Sequence, residues 1–198
     1  MINYYKTVLE VIEDSLESIP TDIYEKLVSE CVKTIKDGGK VIASGLGKNV
    51  PICEKFVGTL NSFGIDARFL HTNTAVHGDL GMVSKKDLVI LLSKGGNTVE
   101  TVTLAEHLKN RGTDTWLMSF NDRGKAFEVV EKSLIMNLRD EGDMWNIVPN
   151  NSTTVYLVVL QGIAVEMAKR LGITKDDFKV NHPGGGIGAK LSGKDLWK

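Results

Sequence analysis

The sequence predicts an α/β fold, a five-stranded parallel sheet flanked by helices and doubly wound, with helices ahead of it. Short apolar runs alternate with amphipathic stretches of helical length, the pattern of βαβ units. One run, DLVILLS (87–93), is apolar without a break, as expected of a strand covered on both faces. Glycine-rich loops follow two of the runs and lead into helices, which is where doubly wound sheets keep their ligand crevice.

The elements follow in order. Residues 3–18 place Val8, Ile12, Leu16 and Ile19 on one helical stripe, with Glu10, Glu13, Asp14 and Glu17 off it. Pro20–Thr21–Asp22 punctuates, and a second helix is expected to reach about Asp37, stopped by Gly38–Gly39. KVIASG (40–45) reads as a strand, 50–64 as a helix, DARFLH (66–71) and 87–93 as strands, and 98–112 as a helix. DTWLMSF (114–120) is a strand, KAFEVVEK (125–132) a helix and SLIMNL (133–138) the fifth strand. A long helix over 151–172 starts with Ser and Thr and stops at Gly172; it is apolar on nearly every side, which predicts a core or subunit-interface position. The division expected is a helical segment, 1–37, packed on one domain, 38–198.

Composition narrows the function. Hydrophobic and charged contents of 42% and 25% are those of a soluble globular protein. A formal charge of −1 and an acidic opening helix pair argue against nucleic acid and anionic membranes as partners. Cys31 and Cys53 lie outside any CxxC pattern and fit a reducing cytoplasm as buried small hydrophobes. The amino terminus lacks a signal-peptide pattern, and 155–168 is interrupted by Gln161, Gly162 and Glu166, short of the ~20 apolar residues of a membrane span.

Two loops carry the chemistry. SGLGKN (44–49) and SKGGNT (93–98) each follow a strand and feed a helix. Helix-first amides, close-approaching glycines and hydroxyls make a site for a phosphate monoester, with Lys48 and Lys94 adding charge. The candidate ligand residues are Ser44, Gly45, Gly47, Ser93, Lys94, Gly95, Gly96, Asn97 and Thr98; the plain alternative is a pair of connectors with helix caps. The first loop lacks the third glycine of a dinucleotide fingerprint, and no GxxxxGK[ST] occurs, so neither a nicotinamide cofactor nor an NTPase is favoured. No cofactor is expected, and no spacing resembles a zinc site. His71 and His77 follow the second strand; Asp79 is placed either to fix the His77 tautomer or to cap the next turn. Glu141 follows the fifth strand, and His182 precedes Pro183 and three glycines; a solvated acidic loop and a surface histidine are the plain readings of these two.

KVIASGLGKN, AVHGDLGMV, the Ser93 loop, PNNSTT and NHPGGGIGAKL occur in the order seen in the SIS (sugar isomerase) domain family. From about residue 38 to 191 the chain resembles that family, and within it the SIS domain of arabinose 5-phosphate isomerases. The resemblance implies a phosphosugar aldose–ketose isomerase, oligomeric as a dimer or tetramer, with sites near subunit contacts. It implies catalytic roles for Lys48, Glu100, Glu141 and His182, and substrate contacts for His71 and His77. It also predicts a chain without the paired CBS module that often follows, since seven residues remain after Leu191. Departures concern substrate recognition. Where the family writes S-N-S-G-E-S-S-E this chain has S-K-G-G-N-T-V-E, and P-G-E-A-A-H becomes T-N-T-A-V-H. Lys94 is placed to compensate for the hydroxyl lost at Gly95. Two rivals remain at this point: an isomerase of another phosphosugar, and a non-catalytic phosphosugar sensor.

Overall fold

Strands β1 (Val41–Gly45), β2 (Ala67–His71), β3 (Leu88–Leu92), β4 (Asp114–Ser119) and β5 (Lys132–Ile135) form one parallel sheet in the order β2-β1-β3-β4-β5. The computed structural model describes residues 2–193. Helices α1 (Ile2–Glu17), α2 (Thr21–Lys36), α3 (Asn49–Ser62) and α5 (Asn151–Arg170) join in one core with one side of the sheet. The other face carries α4 (Val99–Arg111) and three 3₁₀ turns, Ala75–His77, Asp79–Met82 and Lys125–Glu128. Two short helices, α6 (Lys175–Val180) and α7 (Gly185–Leu191), close the described chain.

Strand alternation builds the two cores. Val41, Ala43, Leu88, Ile90, Leu92, Trp116 and Met118 point to the α3/α5 face, whereas Ile42, Leu70, Val89, Leu91 and Leu117 point to the α4 face. Both central strands are buried along their whole length, which explains their unbroken apolar sequence. Their amino ends are tied by Asp87, whose buried carboxylate accepts from Lys40 N (3.0 Å), Lys40 Nζ (2.8 Å) and Ser84 N (2.7 Å). Burial opposes the ionised form, and these hydrogen bonds more than offset it, so the Asp87 carboxyl titrates below the usual range.

The sequence reading meets several corrections. Residues 125–132 are not an α-helix: one 3₁₀ turn ends at Glu128, and the strand starts at Lys132 and stops at Ile135. Val129 N and Val130 N both donate back to Ala126 O, at 3.2 and 2.8 Å, so the turn closes there, and Val130 is buried in the α4-side core with Val129 packed against it. α6 and α7 have no counterpart in the sequence pattern, because neither has an apolar stripe; α6 is set by a capping box between Thr174 and Asp177. The buried stripe of α1 is centred on Val11 and Ser15, with Ile12, Leu16 and Ile19 packed beside it.

Candidate active site

The strand order reverses its direction of growth between β1 and β3, and both glycine-rich loops leave the sheet at that crevice. Ser44 lies opposite Leu91 in the register, and Asn49 Nδ2 donates to Leu92 O across the gap at 3.3 Å. The loops at 44–49 and 93–98 therefore share one mouth. A Cβ on Gly45 would stand 2.7 Å from Asn49 Cβ and 3.1 Å from Cys53 Sγ, so a glycine is what lets α3 begin so close to β1.

The two helix starts are not equivalent. At α3, Asn49 N and Val50 N already donate to Leu46 O and Gly47 O, both at 3.2 Å, and Pro51 has no N–H. At α4, Thr98 is the N-cap in an extended conformation, and its hydroxyl makes no capping bond. Among the described residues the amides of Val99, Glu100 and Thr101 have no acceptor, while Val102 N is the first to be used, by Thr98 O at 3.0 Å. Ser93 Oγ, 3% exposed as a residue, has no hydrogen-bond partner among the described residues. A buried hydroxyl without a partner, beside free helix-start amides, is a ready anion site. Ser44, on the same face, is buried and bonded to Thr72 Oγ1 at 2.9 Å.

The second loop is braced from β4. Lys94 O accepts from Phe120 N (3.0 Å) and Ser119 Oγ (2.9 Å), Gly95 O from Asn97 Nδ2 (3.1 Å) and Asn121 Nδ2 (3.2 Å), and Gly96 O from Ala126 N (2.9 Å). Asn97 Oδ1 accepts from Lys125 N at 3.0 Å, so both ends of that amide hold the loop in shape. A Cβ on Gly124 would lie 2.4 Å from Gly95 O, so the bracing turn requires glycine there.

Glu141 lies behind the mouth. Its side chain is fully buried; Oε2 accepts from Asn150 N (3.1 Å) and Ser152 N (2.9 Å) at the start of α5, and Oε1 lies 2.7 Å from Lys94 Nζ. That contact is short but poorly directed, since Oε1 has no well-aligned hydrogen-bond donor. Burial favours the neutral acid, yet the ammonium of Lys94 and the Ser152 amide outweigh it and hold the Glu141 carboxyl below its usual range. The acidic-loop alternative is thereby set aside: Glu141 is a buried, helix-capping, ion-paired carboxylate.

The remaining candidates divide. Lys48, the exposed N-cap of α3, and Glu100, exposed in the first turn of α4, flank the mouth. His71 ends β2 beside Gly45, its Nδ1 accepting from Asn73 N at 3.3 Å. His77 is exposed in a 3₁₀ turn; Asp79 accepts from Thr74 Oγ1 at 2.8 Å, which favours the turn-forming alternative over a tautomer-fixing one. His182 is not brought to this mouth. Its ring stacks on Phe178 at 4.0 Å, Phe178 meets Phe63 at 5.8 Å, and Asn181 Nδ2 donates to Ser62 O at 3.4 Å. Those contacts lie at the far end of α3, which is 14 residues long, or roughly 20 Å at the α-helical rise. Sequence reasoning passes over Thr72, Asn121, Gly124 and the Asn150–Ser152 amides. The polar SFND after β4 is the available signal, since every strand end in such a sheet faces the crevice.

Among the described residues no group of three or more His, Cys, Asp or Glu is placed to hold a metal, and no helix is long and apolar enough to cross a membrane. The SIS domain pattern matches residues 34–168. The arabinose 5-phosphate isomerase KdsD of Pseudomonas aeruginosa is 34% identical over 178 residues, 90% of this chain and 55% of that protein. KdsD of Yersinia pestis is 34% identical over 186 residues, 94% of this chain and 57% of its own length. The chain thus spans little more than half the length of these curated relatives. Among solved structures, Escherichia coli CFT073 c3406 in complex with arabinose 5-phosphate superposes with a TM-score of 0.84 at 30% identity, covering 91% of this chain and 94% of that one. With the five-stranded order, the paired strand-end loops and these matches together, the chain belongs to the SIS domain family.

Proposed function

We propose that the protein is an aldose–ketose isomerase of a phosphosugar, of the D-arabinose 5-phosphate/D-ribulose 5-phosphate type. The observation that carries this reading is the partnerless Ser93 hydroxyl beside the free α4 amides, on the opposite side of the mouth from a buried, ionised Glu141. An anion held at Ser93–Thr98 fixes the distance from phosphate to the reacting carbons. The named activity of the KdsD relatives and the arabinose 5-phosphate bound by c3406 support the same substrate class.

The reaction moves a proton from C2 of the aldose to C1 through a cis-enediol, while the O2 proton passes to O1. Lys48 stabilises the oxygen on which charge develops, and Glu100 assists ring opening or orients the sugar. The carbon base is Glu141 or His182. For His182 to serve, a second copy of the chain must bring it, because its own copy holds it at the far end of α3. The working form in this reading is a homo-oligomer, and α1 and α2 belong to the same folded unit as the sheet, since both pack on α5.

Incubation with a panel of phosphosugars tests the proposal. Interconversion of arabinose 5-phosphate and ribulose 5-phosphate is expected, with a Lys48→Ala loss of about 10²-fold or more. Turnover of another pair alone would move the substrate within the family. A melting-temperature rise with phosphosugars and no conversion would replace the enzyme by a sensor.

A further inference from the structure

We propose that Glu141 is a positioning residue and that the group it positions, Lys94, is the second substrate-facing cation of the mouth. The inference rests on the isomerase reading and deepens it, because it removes Glu141 from the competition for carbon base.

The geometry leaves Glu141 nothing to offer a substrate carbon. Its side chain has no exposed surface, two α5 amides hold Oε2, and the Lys94 ammonium stands against Oε1. Lys94 has the opposite character. Its carbonyl is fixed by Phe120 N and Ser119 Oγ, while its side chain is 45% exposed. An ammonium has three donors, so contact with Oε1 leaves others for a ligand. Strand alternation decides which end of the substrate they meet. Leu91 points to the α4 face and Leu92 to the α3/α5 face. Continuing that alternation sends Ser93 with the free α4 amides and Lys94 to the opposite side, where Glu141 caps α5. An anion gripped by Ser93 and α4 therefore lies across the sheet edge from Lys94, whose charge faces the sugar rather than its phosphate. Lys94 is then placed to stabilise the oxyanion of the enediol, as a cation in addition to Lys48, with Glu141 holding it in position. The lysine that replaces the family's asparagine is, on these grounds, a catalytic addition and no substitute for a lost phosphate ligand.

A double-mutant cycle on the full chain, with arabinose 5-phosphate as substrate, tests this. Lys94→Met is expected to lower kcat about 10²-fold and to leave KM within about threefold. Lys94→Arg should recover about tenfold or more of that loss, because charge and reach are retained. Glu141→Gln should cost about as much as Lys94→Met in the wild type and about nothing further in the Lys94→Met background, the signature of one residue acting through the other. A further tenfold loss in that background would overturn the proposal and make Glu141 a reacting group in its own right. A raised KM at unchanged kcat in Lys94→Met would also overturn it, by returning Lys94 to the phosphate grip. Inorganic phosphate binding by calorimetry separates the same two cases: it stays as in the wild type if Lys94 faces the sugar and is lost if it does not. Should Glu141→Gln melt out, the Met and Arg variants at the half-exposed Lys94 still decide. A wild-type protein that turns over no phosphosugar would instead reject the isomerase reading, and phosphate calorimetry would then still place Lys94.

Discussion

Ser93 carries a buried hydroxyl that costs the fold something and is left free for a ligand. A buried hydroxyl without a partner costs about 1–3 kcal/mol of desolvation, so Ser93→Ala is expected to leave the melting temperature unchanged or raise it. The same change should weaken phosphosugar binding by about tenfold, the worth of one hydrogen bond to a charged group. Calorimetry and thermal melts on one preparation check both halves, and a variant that loses stability and keeps affinity would make Ser93 structural. Glu141 supplies a second residue-level expectation, with its sign fixed by linkage. Its folded value lies below the ordinary 4.5, so it adds stability above that pH and loses it as the pH falls through the folded value. Lys94→Met removes the main charge opposing burial and so brings the folded value back toward the unfolded one, so the melting temperature of the variant should fall less on acidification than that of the wild type. Coincident pH–melting curves would show that the ion pair contributes nothing. At this scale the sequence is readable wherever strand-end logic applies, as at Ser44, Gly45, Ser93 and Lys94. It is silent on the bracing role of Asn97, whose amide is engaged by Lys125 N, 28 residues further on.

Among the elements, the loop at 93–98 takes its shape from its neighbour, the turn after β4. Gly124 packs against Gly95 and Gly96 so closely that a methyl group would meet the Gly95 carbonyl at 2.4 Å. The turn at Lys125–Glu128 is anchored to the same loop through Gly96 O and Asn97 Oδ1. Gly124→Ala is therefore expected to push the loop at 93–98 out of register, raising KM about tenfold or more through lost positioning while the sheet remains intact. Steady-state kinetics with circular dichroism checks this; unchanged KM would mean that the loop holds its own shape. The alternating pattern reveals all five strands, because period-2 burial and unbroken apolar runs are written locally. It misplaces 125–132 because Val129 and Val130 fit a helix or a strand equally well, and the buried α4-side core decides between them. α6 and α7 escape notice because they bury almost nothing; α6 rests on its capping box, and α7 has no side-chain cap at its start.

For the whole molecule, the position of His182 is the feature that one chain does not resolve into chemistry. The sequence resemblance groups it with Lys48, Glu100 and Glu141, and no local pattern could show that α6 docks at the amino-terminal edge of the sheet, through Phe178 on Phe63 and Asn181 on Ser62. A loop immediately after Glu141 leaves Met144, Trp145 and Ile147 exposed, at 81%, 67% and 73%, although Asp143 holds its backbone by accepting from Trp145 N, Ile147 N and Val148 N. An ordered, apolar surface at the rim of a site is where a second copy gains most by docking, and closed symmetry would then present equivalent parts of that copy to both mouths. The expectation is complementation between inactive chains. Lys48→Ala and His182→Ala, each nearly inactive alone, should regain activity when mixed and allowed to exchange subunits. With random pairing, a site needs an intact Lys48 from one chain and an intact His182 from another, so recovery should approach about a quarter of the wild-type rate. Differently tagged chains report whether exchange took place. Exchange without recovery would keep His182 out of the neighbouring site and leave the carbon base to be found among the residues each chain already gathers around Ser93.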